Sequence, residues 1–306
     1  MSTAISSRES DDARAKRDLF QCGRFSLPLS RPLIMGVVNI TPDSFSDGGD
    51  FLDPQRAISH AQRLVDEGAD ILDLGAESTR PGSEPVPLEE ERRRVLPVLE
   101  AVAGLGVPVS IDTRKPQLMR EVLDGGASMI NDISALGSAG AVEVLVRSDA
   151  AVCLMHMQGV PAQMQLAPSY DDVVSEVTEF LLARARGLLD QGVSASRIAL
   201  DPGFGFGKTD RHNLDLLEGL PAIASHGFAV LAGMSRKSQL GRITGRKNAK
   251  SRLGASVAAA LAAIERGASI VRVHDVAETR DAILVWQAMG VGADGTGANE
   301  DGVKSN

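Results

Sequence analysis

The sequence predicts an α/β fold, a closed (β/α)8 TIM barrel, on three observations. Short β-branched runs alternate with amphipathic helical stretches along most of the 306 residues, and such alternation builds right-handed βαβ units on a parallel sheet. Eight of these runs can be found, the number that closes a barrel. Aromatic residues make up only 3% of a chain that is 43% hydrophobic. The core must therefore be built from small branched side chains, which suit strands buried on both faces. An open doubly wound sheet satisfies the same alternation and differs only in strand order, which the sequence does not reveal.

The elements follow in order. Residues 1–18 are polar and of mixed charge and are expected to be a disordered extension. The tail 290–306, rich in Gly, Asp and Asn, is expected to be flexible. Residues 19–289 read as one domain. Within it, Leu19–Leu29 alternates like a hairpin and could cover one end of the barrel. The strand-like runs are Leu33–Ile40, Ile71–Leu74, Val107–Ile111, Ser128–Ile130, Ala151–Met155, Ile198–Leu200, Phe228–Ala232 and Ile270–Val273. Helical stretches between them include Pro54–Glu67, Leu88–Ala103, Lys115–Asp124, Asp171–Gln191 and Ser251–Arg266. Gly68, Gly125, Gly192 and Gly267 end four of these, where a left-handed C-cap favours glycine.

The formal net charge of −8 repels polyanions, and no basic stretch offsets it, which argues against nucleic-acid binding. Cys22 and Cys153 lie too far apart in sequence to suggest a disulfide framework or a zinc motif. The N-terminal residues lack the apolar core of a signal peptide, and no run is long enough to span a bilayer, so a cytoplasmic protein is expected.

Polarity is one-sided along the chain. Strand ends carry Asn39, Glu77 to Arg80, Asp112 with Thr113, Asn131 with Asp132, His156, Asp201, Ser235 to Lys237, and Arg272 with His274. The opposite junctions carry mostly Gly, Ala, Val and Pro. In barrel enzymes the C-terminal mouth of the strands holds the chemistry, so these groups are expected to converge on one opening.

The segment from Asp201 to Thr209 (DPGFGFGKT) fails as a phosphate loop, because Pro202 stands where the first glycine is needed. It also fails as a dinucleotide fingerprint, with Lys208 at the last glycine. Its glycines instead permit a sharp turn and a close approach to a ligand. Phe204 and Phe206 either offer faces to a flat ring or plug the core. Asp112, Asn131 and Asp201 form a mixed acceptor and donor set with no nucleophile–base pair, suited to reading a heterocycle with adjacent N–H, amino and carbonyl groups. Asp112 could alternatively cap the following helix. Arg272 and His274 alternate onto one face and suggest an anion site, most simply for phosphate. Lys237 adds charge there, whereas Arg236 reads as a solvated basic residue. Asn39 could serve a magnesium ion held mainly by substrate phosphates. The loops after the first two strands, Asn39–Gly49 and Glu77–Gly82, are dense enough in polar groups to be lids. His60, His212 and His226 read as surface residues.

Taken together, VVNITPDSFSDGG, DLGAESTRPG, SIDTRKP, MINDI, CLMHMQG, DPGFGFGK, GMSRKS and RVHDV resemble the dihydropteroate synthase family, in order, from about Leu19 to Met289. The resemblance implies a homodimeric barrel enzyme, a transferase of folate biosynthesis. It would condense 6-hydroxymethyl-7,8-dihydropterin diphosphate with 4-aminobenzoate and release pyrophosphate, with sulfonamides competing for the aminobenzoate site. It implies catalytic roles for Asp112, Lys237 and Arg272. The pterin would be bound by Asp112, Asn131, Asp201 and Lys237 and packed by Met155; Arg272 and His274 would hold the diphosphate, and Asn39 would contact Mg2+. Thr79, Arg80, Pro81, Phe206 and Ser238 would shape the aminobenzoate side, and Gly233 would also line the substrate site. Ala76 departs from the family pattern of glycine or proline, and Arg114 stands where serine is common. Pterin-binding methyltransferase domains share the barrel, but the Ser-Arg-Lys-Ser and Glu-Ser-Thr-Arg-Pro-Gly motifs favour the synthase. Loss of Asn39, Asp112 or Arg272 would have suggested a non-catalytic paralogue, and all three are present.

Overall fold

The computed structural model describes residues 19–41, 54–78 and 83–290. Two short strands, β1 (Leu19–Cys22) and β2 (Phe25–Pro28), pair antiparallel as the alternation in Leu19–Leu29 predicts. The eight apolar runs that follow become β3 (Leu33–Asn39), β4 (Ile71–Gly75), β5 (Val109–Asp112), β6 (Met129–Asp132), β7 (Ala151–Met155), β8 (Ile198–Asp201), β9 (Ala229–Ala232) and β10 (Ile270–Val273). They lie side by side in chain order and form a closed barrel. β10 pairs in parallel with β3, Ile270 opposite Leu33 and Val273 opposite Gly36. That last pairing excludes the open sheet, whose first and last strands would not meet.

The helices are α1 (Pro54–Asp66), α2 (Leu88–Val102), α3 (Pro116–Asp124), α4 (Ala141–Val146), α5 (Val173–Leu189), α6 (Asp210–Glu218), α7 (Leu220–Ala224), α8 (Ser238–Thr244), α9 (Leu253–Ile264) and α10 (Val276–Ala288). Local chemistry sets several starts. The Asp172 side chain accepts from the N–H groups of Val174 and Ser175 at the head of α5, and Thr209 with His212 forms a capping box on α6. Gly68, Gly192 and Gly267 take left-handed backbone angles as expected, but Gly125 does not. Its φ is −81°, and Gly126, at φ +99°, makes the turn one residue later. The Ala127 N–H then closes onto the Val122 carbonyl, which places the left-handed residue at the second glycine.

Side chains alternate across each strand, so the barrel sorts its residues into two cores. Ile34, Leu72, Leu74, Ile111, Ile130, Val152, Leu154 and Leu200 face the helices. Leu33, Met35, Ile71, Met129, Cys153, Ala199, Leu231 and Ile270 fill the interior toward the strand starts. Phe20 and Cys22 of the hairpin are fully buried in this inner core. The Cys22 thiol donates to the Ser128 carbonyl at 3.3 Å, just before β6. The hairpin thus plugs the N-terminal end and leaves the opposite end as the mouth.

Among the described residues no helix is long and apolar enough to cross a membrane. The extension 1–18 and the tail beyond Gly290, both expected to lack order, lie outside the described residues. So do most of the first lid candidate and Thr79, Arg80 and Pro81 of the second.

Candidate active site

Residues in register on neighbouring strands share a face, so the inward set can be followed around the barrel. Val37 pairs with Asp73, Asp73 with Ser110, and Asp112 with Asn131. Asn131 then pairs with Cys153, Met155 with Asp201, and Arg272 with Met35. Above the apolar floor the interior therefore turns polar, at the C-terminal ends of the strands. Asp112, Asn131, Met155, Asp201 and Arg272, drawn from five strands, meet at one rim.

At the centre lies a residue that the motif reading missed. Asp73 has no solvent exposure, and its carboxylate accepts from Arg272 Nε at 2.6 Å and from Asn131 Nδ2 at 3.2 Å. Arg272 Nη2 also reaches Asp112 at 3.4 Å. The signal was an acid in the middle of an otherwise apolar strand, ILDLG, which needs a buried partner. The Arg272 side chain remains 22% exposed, so the guanidinium spans from the buried acid to the open rim.

The loop after β8 supplies a second arm. The Asp201 carboxylate accepts from the Gly203 N–H at 2.7 Å. Gly203, Gly205 and Gly207 all have positive φ, so the sharp turn is as expected. The close approach, however, is made to the protein itself. A Cβ on Gly203 would overlap the His156 carbonyl oxygen, and one on Gly207 the Gln158 carbonyl oxygen. Phe204 is buried in the outer core. Phe206 is half-buried, and the Lys237 ammonium sits 4.7 Å from its ring centroid. Lys237 Nζ also donates to the Phe204 carbonyl, and burial pushes its pKa down to about 8. Gly233 lies beside the Arg272 stem, and Ser238 opens α8.

Several other polar groups near the strand ends are tied to neighbouring loops and helices. Lys208 is buried; its Nζ lies 2.9 Å from His156 Nδ1 and donates to the Phe206 carbonyl at 3.0 Å. Burial lowers Lys208 to about 7. Burial, with the Lys208 charge, lowers His156 to about 3 and leaves a neutral imidazole to accept from the lysine. Asp132 accepts from the Ser134 and Leu136 N–H groups and holds the left-handed turn at Ala135 and Leu136. Glu77 does not join the mouth cluster: it pairs with Arg114 at 2.9 Å and Lys115 at 2.6 Å. Lys115 also pairs with the buried Glu91. Arg114, unusual at its position, thus completes an ion-pair network. Ala76 is fully buried in the outer core without a positive φ, so its methyl needs no glycine there. Arg236 is tied down rather than solvated. It pairs with Asp275, its N–H donates to Ser256, and its carbonyl accepts from Arg252. His274 lies 3.0 Å from the Ser235 hydroxyl. His212 packs edge-on against Tyr170, with centroids 5.0 Å apart.

Asp112 and Asp201 are perturbed in one direction. Burial raises the Asp112 and Asp201 carboxyls; the Asp73 charge adds to the effect at Asp112, and Lys237 opposes it at Asp201. Among the described residues no three His, Cys, Asp or Glu side chains converge as a metal cage. Asn39 brings a single neutral oxygen donor to the end of β3.

These positions can be set against known proteins. Residues 35–274 match the family model described as pterin binding enzyme. A dihydropteroate synthase of Neisseria meningitidis serogroup C is 53% identical over 279 residues, covering 90% of this chain and 99% of that protein. The chain belongs to the dihydropteroate synthase family. The Escherichia coli K12 member is 46% identical over 86% of this chain and 93% of its own. Among solved structures, the Burkholderia cenocepacia enzyme complexed with 7,8-dihydropteroate superposes with a TM-score of 0.82 at 50% identity, covering 90% of this chain and 97% of that one. The Xanthomonas albilineans enzyme with 4-aminobenzoic acid gives 0.84 at 48% identity, over 89% and 98%. The Yersinia pestis enzyme with a sulfonamide drug complex gives 0.84 at 42%, over 89% and 99%.

Proposed function

We infer that the chain catalyses the family reaction, joining 4-aminobenzoate to 6-hydroxymethyl-7,8-dihydropterin diphosphate to give 7,8-dihydropteroate and pyrophosphate. One observation supports the assignment of roles above the others: an acidic, heterocycle-reading set and a cationic set share one rim, with Arg272 3.4 Å from Asp112. Asp112, Asn131, Asp201 and Lys237 bind the pterin, and Met155 packs against it. Arg272 and His274 hold the diphosphate. Thr79, Arg80, Pro81, Phe206 and Ser238 shape the aminobenzoate side, where sulfonamides compete, and Gly233 keeps the wall beside Arg272 low.

In the reaction the bond from the bridging methylene carbon to the diphosphate oxygen breaks, and its electron pair leaves with pyrophosphate. Arg272 and His274 stabilise that departing charge. The methylene carbon is left electron-poor, and the Asp112 carboxylate stabilises it. The arylamine nitrogen donates its lone pair to form the new C–N bond and then loses a proton to water. It is neutral at physiological pH and needs no strong base, which accounts for the missing nucleophile–base pair. A single amide oxygen fits Mg2+ only as an ion that takes its other ligands from the diphosphate and water. Asn39 would hold it, and it would neutralise leaving-group charge. The enzyme is further expected to be a cytoplasmic homodimer.

The test is pyrophosphate release with both substrates, repeated with each omitted. Release is expected only with both. Release from the pterin diphosphate alone at the full rate would make the protein a hydrolase and overturn the assignment.

A further inference from the structure

Asp73 is the one polar residue of β4, ILDLG, and its register neighbour on β3 is Val37. A chain selected for stability alone would continue the apolar pattern, because a buried ion pair is no more stabilising than well-packed hydrophobic residues. The polar choice extends to the next strand. Among the described residues, Asp73 Oδ1 and the hydroxyl of its register partner Ser110 are buried without a hydrogen-bond partner.

The other oxygen, Oδ2, accepts from two groups on opposite sides of the barrel, Asn131 on β6 and Arg272 on β10. Each contact removes a freedom that substrate recognition cannot tolerate. An asparagine amide can present either its oxygen or its NH2 group. A carboxylate accepts only, so it fixes Nδ2 toward Asp73 and turns Oδ1 toward the other side. A guanidinium can swing on a long stem, and the bond to its Nε sets the plane of its fork.

We propose that Asp73 is a positioning residue: by holding Asn131 Nδ2 and Arg272 Nε it makes Asn131 an acceptor toward the heterocycle and aims the Arg272 fork at the rim. This inference rests on the roles assigned above to Asn131 and Arg272. It also determines specificity. With Asp112, Asp201 and Asn131 all accepting, the edge that binds must carry several donors, such as adjacent ring N–H and amino groups. A ring edge of carbonyls would be refused.

The test is Asp73→Asn in the full chain, with kinetics measured separately for each substrate. An amide at this position can offer either of its ends and no longer dictates the orientation of Asn131. The KM for the pterin diphosphate should rise about tenfold or more, in line with losing hydrogen bonds to a charged acceptor. The KM for 4-aminobenzoate should change by less than about twofold. The acid limb of kcat/KM should move to lower pH. Asp112 feels the charges of Asp73 and Arg272 and, more weakly, those of Asp132 and Glu91; of these, the variant removes the one that does most to hold the Asp112 carboxyl up. A purely structural role would lower thermal stability and the active fraction while leaving both KM values and the limb in place, and that result overturns the proposal. If Asp73→Asn fails to fold, Asp73→Ser removes volume rather than charge alone and has the same readouts. Asp112→Asn and Lys237→Ala serve as controls. Full turnover in both would sink the site assignment itself, whereas loss of turnover in both beside wild-type kinetics in Asp73→Asn would sink only the proposal about Asp73.

Discussion

Replacing Arg272 by alanine should destabilise the protein as well as weaken diphosphate binding, and the structure sets the size of the effect. Arg272 is the cationic partner of Asp73, which has no exposure, and it lies 3.4 Å from Asp112. Removing one member of a buried ion pair costs about 3–5 kcal/mol, because the remaining charge has neither water nor a counterion. A ceiling comes from the escape route: protonating an ordinary carboxylate at pH 7 costs about 4 kcal/mol. The two figures agree, and against a typical stability of about 5–15 kcal/mol the loss is large. For a domain of this length it corresponds to a fall in Tm of about 5–9 °C. Denaturant unfolding of the wild type, Arg272→Ala, Asp73→Asn and the double variant measures it directly. With the carboxylate neutralised, the arginine is no longer needed. The double variant should therefore recover at least about half of the Arg272→Ala loss, as expected of residues in contact. A cost under about 1 kcal/mol for Arg272→Ala, or simple additivity of the two losses, would refute this reasoning.

Three other outcomes follow from the site. Gly203→Ala forces a left-handed residue, at about 1–2 kcal/mol, and drives its Cβ into the His156 carbonyl oxygen. Unfolding should show a total loss above about 2 kcal/mol together with weaker pterin binding, and a neutral variant would mean that the loop is free to move. Burial first, then the Asp73 charge, raises the Asp112 carboxyl above the ordinary carboxylate range, against the pull of Arg272. Activity that needs ionised Asp112 should fall as pH drops through this raised pKa. The acid limb of kcat/KM should then lie above the usual carboxylate range and vanish in Asp112→Asn; a limb that survives this variant belongs to another group. Pyrophosphate titrated calorimetrically should bind more tightly with Mg2+ than without it, and Asn39→Ala should reduce that difference. Equal affinities would remove the metal from the site.

Much of the site is legible in the chain because strand ends in a parallel barrel point to one mouth. Once β3 to β10 are located, Asp112, Asn131, Asp201 and Arg272 are bound to converge. Errors arose where a polar strand end had a second use. Glu77, Asp132 and His156 look like mouth residues in sequence, and Arg236 like a solvated one, yet each satisfies a neighbouring loop or helix. A one-dimensional pattern does not show which partner lies across a turn. The glycines after Asp201 have the left-handed backbone that the sequence predicts, but that two of them lie against the loop after β7 is not visible in it, because that loop comes from a distant part of the chain. Asp73 escaped for the opposite reason. It lies within a strand, where polarity is not expected, and its partners are 58 and 199 residues away in sequence.

The sequence by itself determined which residues line the interior, because alternation along a strand is a local property of the backbone. It also placed the ends of α1, α2, α3, α5 and α9 to within two residues, because the signals that end a helix act over a few residues. Only the tertiary structure decided that the sheet closes, since closure is the pairing of the first barrel strand with the last, across nearly the whole chain. Closure in turn put Arg272 of β10 against Asp73 of β4. That contact depends on distance in space, and buried charges choose their partners by that distance alone.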